Sequence, residues 1–144
     1  MTNPLTSMLP AFLTPDPGLN SGFMIAQVTA AALTSENRAL ATPHSVDSIP
    51  TSGNQEDYVS MGMSSARRLN RMLDNLQSIL AIELLCACQG IDLLSPLQTG
   101  ALARIAQGAV RSLSPKVIAD RPLAPDVKAV AKLIATGAIA KILH

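Results

Sequence analysis

Asn54-Gln55-Glu56-Asp57-Tyr58 is the densest run of hydrogen-bonding side chains in the chain, with two amides, two carboxylates and a phenol side by side. Such a run can contact a polar ligand, or it can serve the helix that follows it. An acid beside a helix N-terminus is favoured by the helix dipole, and Asp57 or Ser60 can accept orphan amide protons of a first turn. Elsewhere the chemistry is sparse. With two His, no Trp and one Tyr, and with no phosphate-cradling glycine loop or metal-ligand helix, no self-contained active site is legible. Cys86 and Cys88 lie two apart in an apolar helical pattern, so they point to different sides of one helix and read as buried thiols. His44 and His144 are too distant in sequence to complete a metal set with them, and no metal is expected. Arg67 and Arg68 read as a solvated helix face or a subunit salt bridge, and Met24 at helical spacing reads as core. On these residues alone the chain is a helical interaction module.

The elements that carry this run are helices. The 48% apolar content comes from Ala, Leu, Ile, Val and Met, with only Phe12, Phe23 and Tyr58 as aromatics, which favours packed helices over a sheet. An all-α fold is expected, a long-helix bundle segment of about four helices spanning 1–144 as one unit. Pro4, Pro10, Pro15 and Pro17 punctuate the first stretch, so 1–19 reads as an extended lead-in. Asn20 is a good N-cap, and 20–40 is apolar nearly all round, the pattern of a helix buried in a bundle or a subunit interface. The loop at 41–59 is rich in Pro, Ser, Thr, Asp and Asn, and exceeds the roughly 12–15 residues at which a structureless loop becomes unusual. A long amphipathic helix follows over 60–90, with Leu69, Leu73, Leu76 and Leu80 on one face and Gly90 as its stop. Residues 91–144 hold the C-terminal helices, at 97–112 and 125–136, with Asp120 to Asp126 as linker.

The formal net charge is +1, and no stretch gathers enough Lys or Arg to track a phosphate backbone, so nucleic acid is excluded as a partner. Residues 1–15 have no basic flank and do not resemble a secretory signal. The charge-free run at 17–35 includes Gly18, Asn20, Ser21, Gly22, Gln27 and Thr29, too polar for lipid. A cytoplasmic chain with no membrane partner is expected.

Asn20-Ser21-Gly22-Phe23-Met24 and the run on to Ala32, then Ser35-Glu36-Asn37, Ser45-Val46-Asp47-Ser48-Ile49-Pro50-Thr51-Ser52 and Asn54-Gln55-Glu56-Asp57 together resemble the C-terminal part of histidine ammonia-lyases, of the aromatic amino acid lyase family. The similarity continues through Ala66-Arg67-Arg68, Leu73-Asp74-Asn75 and the run from Ala81 to Gly90, and more weakly through Asp120-Arg121-Pro122. Enzymes of this family eliminate ammonia from an aromatic amino acid, histidine giving trans-urocanate, and use a methylidene-imidazolone formed from an internal Ala-Ser-Gly. The resemblance implies substrate-binding roles for three residues. Glu56 matches a glutamate facing the substrate imidazole, where a carboxylate accepts an N–H and favours a cationic ring. Gln55 matches its hydrogen-bonding neighbour, and Met24 an apolar residue lining the ring pocket.

The chain departs from the family pattern at Tyr58, where His is usual, and at Gly53, where Ala is usual, which bears on substrate choice. Thr51-Ser52-Gly53 imitates the electrophile-forming tripeptide but lies in the substrate-side loop, and Ala-Ser-Gly itself is absent. No cofactor is therefore expected in this chain. The family's catalytic tyrosine and carboxylate-binding arginine belong to regions upstream, so no complete catalytic set is expected and the isolated chain should be inactive. The implied partners are an N-terminal lyase portion or further copies in a homotetramer, with histidine as substrate of the complete enzyme. Two alternatives stand beside this reading. One is a non-catalytic helical oligomerisation remnant; the other is a segment of a tyrosine or phenylalanine ammonia-lyase, against which Glu56 argues, because a phenyl ring gives a carboxylate nothing to accept.

Overall fold

The apolar positions at 81, 82, 85 and 88 recur at helical spacing on one long helix, and the rest of the chain is arranged around them. A computed structural model describes residues 5–143. Its helices are α1 (Met24–Leu40), α2 (Gly62–Leu93), α3 (Ala101–Arg111), α4 (Ala124–Ala135) and a short α5 (Ala138–Leu143). Among the described residues the extended pairings are two isolated bridges, Pro17 with Asn20 and Thr51 with Glu56. The fold is all-α, with four helices of substance.

Helix α2 packs most extensively on α4 and α1. It buries Ala81, Ile82, Leu85 and Cys88, which meet Leu13, Phe23, Val110 and Val130 in one apolar cluster. Burying a side chain such as Leu85 or Phe23 stabilises the fold by roughly 1.5–3 kcal/mol. Both cysteines are free thiols. Burial pushes the Cys86 thiol up to about 11 and raises Cys88 as well, so neither is a ready nucleophile.

Several boundaries differ from the sequence reading, each for a local reason. The lead-in is not extended over its described part: it turns at Asp16, where the Leu19 and Asn20 amides bond back, and Ala11–Leu13 forms a 3-10 turn. Residues 1–4 lie outside the described residues, as does His144. Asn20 is not an N-cap, because α1 starts four residues later at Met24. Gly22 stands between them at φ +52, and a Cβ there would sit 2.5 Å from the Phe12 carbonyl oxygen, a position only glycine fills. Nor is α1 buried within this chain: Ile25 is 63% and Val28 54% exposed, since only Ala26 in the helix is fully covered. Gly90 is no helix stop, as α2 runs on to Leu93. It is buried, and a Cβ would press on Leu9 Cδ1 at 3.3 Å, so its role is close packing. Asp57 does not cap α2, whose N-terminus has no side-chain cap; the nearby Ser60 hydroxyl accepts from the Gly62 amide at 3.2 Å.

Helix α2 is, among the described residues, the one helix long and apolar enough to cross a membrane. Its buried polar residues are nevertheless tied to other parts of the chain, as in the core helix of a folded domain. Asn75 donates to Glu36 Oε2 and Asn37 Oδ1 on α1. Gln89, wholly buried, donates from Nε2 to the carbonyls of Leu13 (3.1 Å) and Val117 (2.8 Å), and its Oε1 accepts the Val117 amide at 3.1 Å. One side chain thereby ties the 3-10 turn ending at Leu13 to the irregular segment at Val117.

Replacing that amide by an apolar group of similar size strands three buried backbone groups. Gln89→Leu is expected to lower the unfolding free energy by about 2–4 kcal/mol, read as a shift of the urea midpoint at unchanged slope.

Candidate functional site

Gln55 and Glu56 sit at the tip of the loop that joins α1 to α2, and the loop is laced from its base upward. Arg68 Nη2 on α2 donates to the Thr42 carbonyl at 2.6 Å, and His44 Nε2 lies 3.2 Å from Ser64 Oγ. Further out, the Tyr58 hydroxyl donates to the Ser45 carbonyl at 3.0 Å and the Val59 amide to Ser48 Oγ at 2.9 Å. The last rung is backbone only: Thr51 and Glu56 exchange N–H···O bonds of 3.0 and 3.3 Å. Beyond it Ser52, Gly53 and Asn54 take φ values of 54°, 64° and 68°.

Three successive left-handed residues are unusual. Each L-residue in that region costs roughly 1–2 kcal/mol, and glycine at the centre removes the penalty where it would be added to both neighbours. The rungs below hold the turn in place, an arrangement typical of ligand-binding positions. Glu56 has both backbone groups committed to the Thr51 bridge while its residue stays exposed. Its carboxylate is free to meet a ligand, and Gln55 beside it is exposed as well.

Met24 opens α1 and is half-buried. Among the described residues, the recesses on α1 and beside the loop do not join it to Gln55 or Glu56. The segment leading into it is fixed from the far end of the sequence. Asp120 accepts the amides of Ser21 (2.8 Å) and Gly22 (2.9 Å), and its own amide donates to Asn20 Oδ1 at 3.2 Å. Those backbone bonds from Ser21 and Gly22 hold the Asp120 carboxyl below the ordinary carboxylate value. The next residue, Arg121, grips Asp126 through two hydrogen bonds of 2.5 and 3.1 Å. Burial pushes the Asp126 carboxyl up, but bonds from Arg121 and Ser114 together with the guanidinium charge outweigh it and keep it below the ordinary value. Beside this clamp lies a recess of about 700 Å³ between α1, α2 and α4, walled by Ile25, Leu33, Ile82 and Val127.

Arg68, read from the sequence as a solvated helix face or subunit salt bridge, and Asp120, read as the start of a linker, both turn out to position backbone segments. Asp120-Arg121-Pro122 is visible there as a matching tripeptide, yet its partner is about a hundred residues away. Thr51-Ser52-Gly53 lies across this exposed turn, with the Thr51 carbonyl accepting the Glu56 amide. Among the described residues no three His, Cys, Asp or Glu side chains converge to hold a metal.

The chain is a helical scaffold that carries a strained, polar loop at the entrance of its longest helix. The model of the aromatic amino acid lyase family matches residues 1–112, and the chain belongs to that family. It is 59% identical over 132 residues to a histidine ammonia-lyase of Desulfotalea psychrophila and 52% identical over 141 residues to one of Roseobacter denitrificans. These matches take in 92% and 97% of this chain but 26% and 28% of the relatives, so the chain spans about a quarter of their length. Among solved structures, histidine ammonia-lyase from Trypanosoma cruzi superposes with a TM-score of 0.92 at 53% identity, over 97% of this chain and 28% of that one. Tyrosine aminomutase from Streptomyces globisporus superposes at 0.88 with 41% identity, over 94% and 26%.

The Asp120 clamp has a pH signature. A carboxyl whose folded pKa lies below its unfolded value stabilises the fold fully above the unfolded value, and that stabilisation disappears as pH falls through the folded one. Urea unfolding between about pH 2 and 7 is therefore expected to show stability dropping in the acid range. Asp120→Asn should be less stable near neutrality and should show a shallower acid loss, with Asp126 supplying what remains.

Proposed function

We propose that the chain supplies the substrate-ring contacts of a histidine ammonia-lyase, an enzyme of histidine degradation that converts L-histidine to trans-urocanate and ammonia. The observation that carries this is the exposed Gln55-Glu56 pair held on a laced, left-handed turn, in a chain more than half identical to histidine ammonia-lyases. Glu56 accepts an N–H of the imidazole and favours its cationic form, Gln55 completes the hydrogen bonding, and Met24 borders the ring. These groups bind and orient; none of them attacks the substrate. The 144 residues contain no Ala-Ser-Gly, so by themselves they are inactive and act with an electrophile-bearing lyase portion, in the cytoplasm.

The partner surface is carried by α2. Leu69, Leu73, Leu76 and Leu80 are 53%, 45%, 44% and 37% exposed. At 100° per residue they fall roughly opposite the stripe that faces the core. A helix apolar on two opposite faces is built to be covered on both, here by the N-terminal lyase portion or by further copies in a homotetramer. Neither role calls on nucleic acid or a membrane.

Mixing the purified chain with an electrophile-bearing N-terminal lyase fragment and following urocanate absorbance tests both statements. Activity is expected only with both pieces. Glu56→Ala should reduce kcat/KM for histidine by about 30-fold, the equivalent of ~2 kcal/mol for a lost charge-assisted hydrogen bond. Stable association of the pieces without urocanate would refute the lyase role and leave the helical oligomerisation remnant as the better description.

A further inference from the structure

On the side of the chain served by α3, away from the loop, a recess of about 490 Å³ is lined by three cationic residues, Arg104, Arg111 and Lys116, and by one carboxylate, Asp92. The charges there are unevenly matched. Asp92 is fully engaged: Oδ1 accepts Gln107 Nε2 at 2.7 Å, and Oδ2 accepts Arg111 Nε at 2.8 Å. Arg111 is spent in turn, with further bonds to the Ser114 carbonyl at 3.0 Å and to Gln89 Oε1 at 3.5 Å. The ion pairs among the described residues are Arg71 with Glu36, Arg111 with Asp92 and Arg121 with Asp126. Arg104 and Lys116 belong to none of them. Arg104 gives one donor to Gln98 Oε1 at 3.1 Å, and Lys116 reaches only the Asp92 carbonyl at 3.4 Å.

Two uncompensated cations therefore face one recess, a guanidinium fork and an ammonium point charge, with the hydroxyl-bearing Ser95 and Thr99 on its wall. The pairing of fork and point charge suits a small oxyanion with several acceptor oxygens, and a charge of two matches the surplus. We propose that this recess binds a small dianion of phosphate type, either free phosphate or a phosphate monoester. The site is separate from the Gln55-Glu56 loop and does not depend on the lyase reading. It is too small and too local to follow a nucleic-acid backbone.

The test is titration of the full chain with inorganic phosphate near neutral pH, followed by calorimetry and by amide chemical shifts, with sodium chloride adjusted to hold ionic strength constant. Saturable binding is expected, with shifts concentrated at 95–99, 104 and 116. Arg104→Gln and Lys116→Gln, each at an exposed position, should each weaken it about tenfold, while Lys128→Gln, which lines another recess, should leave it unchanged. Far-UV circular dichroism checks the fold of each variant, and either one alone decides the matter if the other unfolds. Glycerol phosphate, added in place of phosphate, separates a preference for an ester from one for the free ion. No saturable binding above chloride, equal weakening in Lys128→Gln, or acetate binding as tightly as phosphate would each overturn the proposal.

Discussion

The Gln89 amide is the interaction on which the remainder of this fold depends. It lies in the apolar cluster with no exposure and meets Val117 as a second peptide group would, donating to its carbonyl and accepting its amide. Its second proton goes to Leu13. Leu13 ends a 3-10 turn and Val117 lies outside any helix, and without Gln89 three of their buried backbone groups would lose these partners. Because they are fixed there, the groups that follow are fixed as well: Phe12 receives the Phe23 amide at 2.9 Å and so sets the start of α1. On the other side, the chain leaving Val117 brings Asp120 to Ser21 and Gly22.

The same logic governs the loop at 41–61, with weaker materials. No buried cluster supports it. Its order comes from a succession of single hydrogen bonds, beginning with Arg68 on the carbonyl of Thr42 and ending in the Thr51 to Glu56 bridge. Tyr58 has a definite place in that succession: its phenol closes the loop on Ser45. A side chain without a hydroxyl at that reach would leave the Ser45 carbonyl without this bond, so Tyr58 bears on how the loop is held. Gly53 stands where the backbone is left-handed at φ +64, and there glycine relieves strain that alanine would retain.

What the sequence disclosed follows from the range over which each interaction acts. The all-α class, the long helix and the polar loop are local properties of composition and periodicity, and they were legible. Helix ends were less so, because several are set by distant partners. Asn20 has the side chain of an N-cap, yet Asp120 takes the neighbouring amides and Gly22 turns the chain, so the helix waits until Met24. Gly90 looks like a terminator in one dimension; in three it is the space that Leu9 occupies. The candidate site was legible as a run of polar side chains, with Gln55 and Glu56 the proposed ligand contacts. It was not legible through those that hold them, since Arg68 reads as surface charge until its bond to Thr42 is seen.

The leucine stripe of α2 ties these threads to function. Periodicity identifies it as an apolar face, and the natural assumption is that such a face looks inward. Here the inward stripe is the one through Ile82, Leu85 and Gln89, and the leucines lie roughly on the opposite side. Leaving them in water forgoes burial of about 25 cal/mol per Å² of apolar surface, which a domain complete in itself has no reason to do over four successive contact positions. Leu69 is seven residues along α2 from its start at Gly62, about 10 Å at the helical rise. A partner seated on the stripe therefore stands beside the base of the loop that carries Gln55 and Glu56. On the lyase reading, covering the leucines and completing the active site are one event, because the surface that recruits the partner and the loop that meets the substrate leave the same end of the same helix.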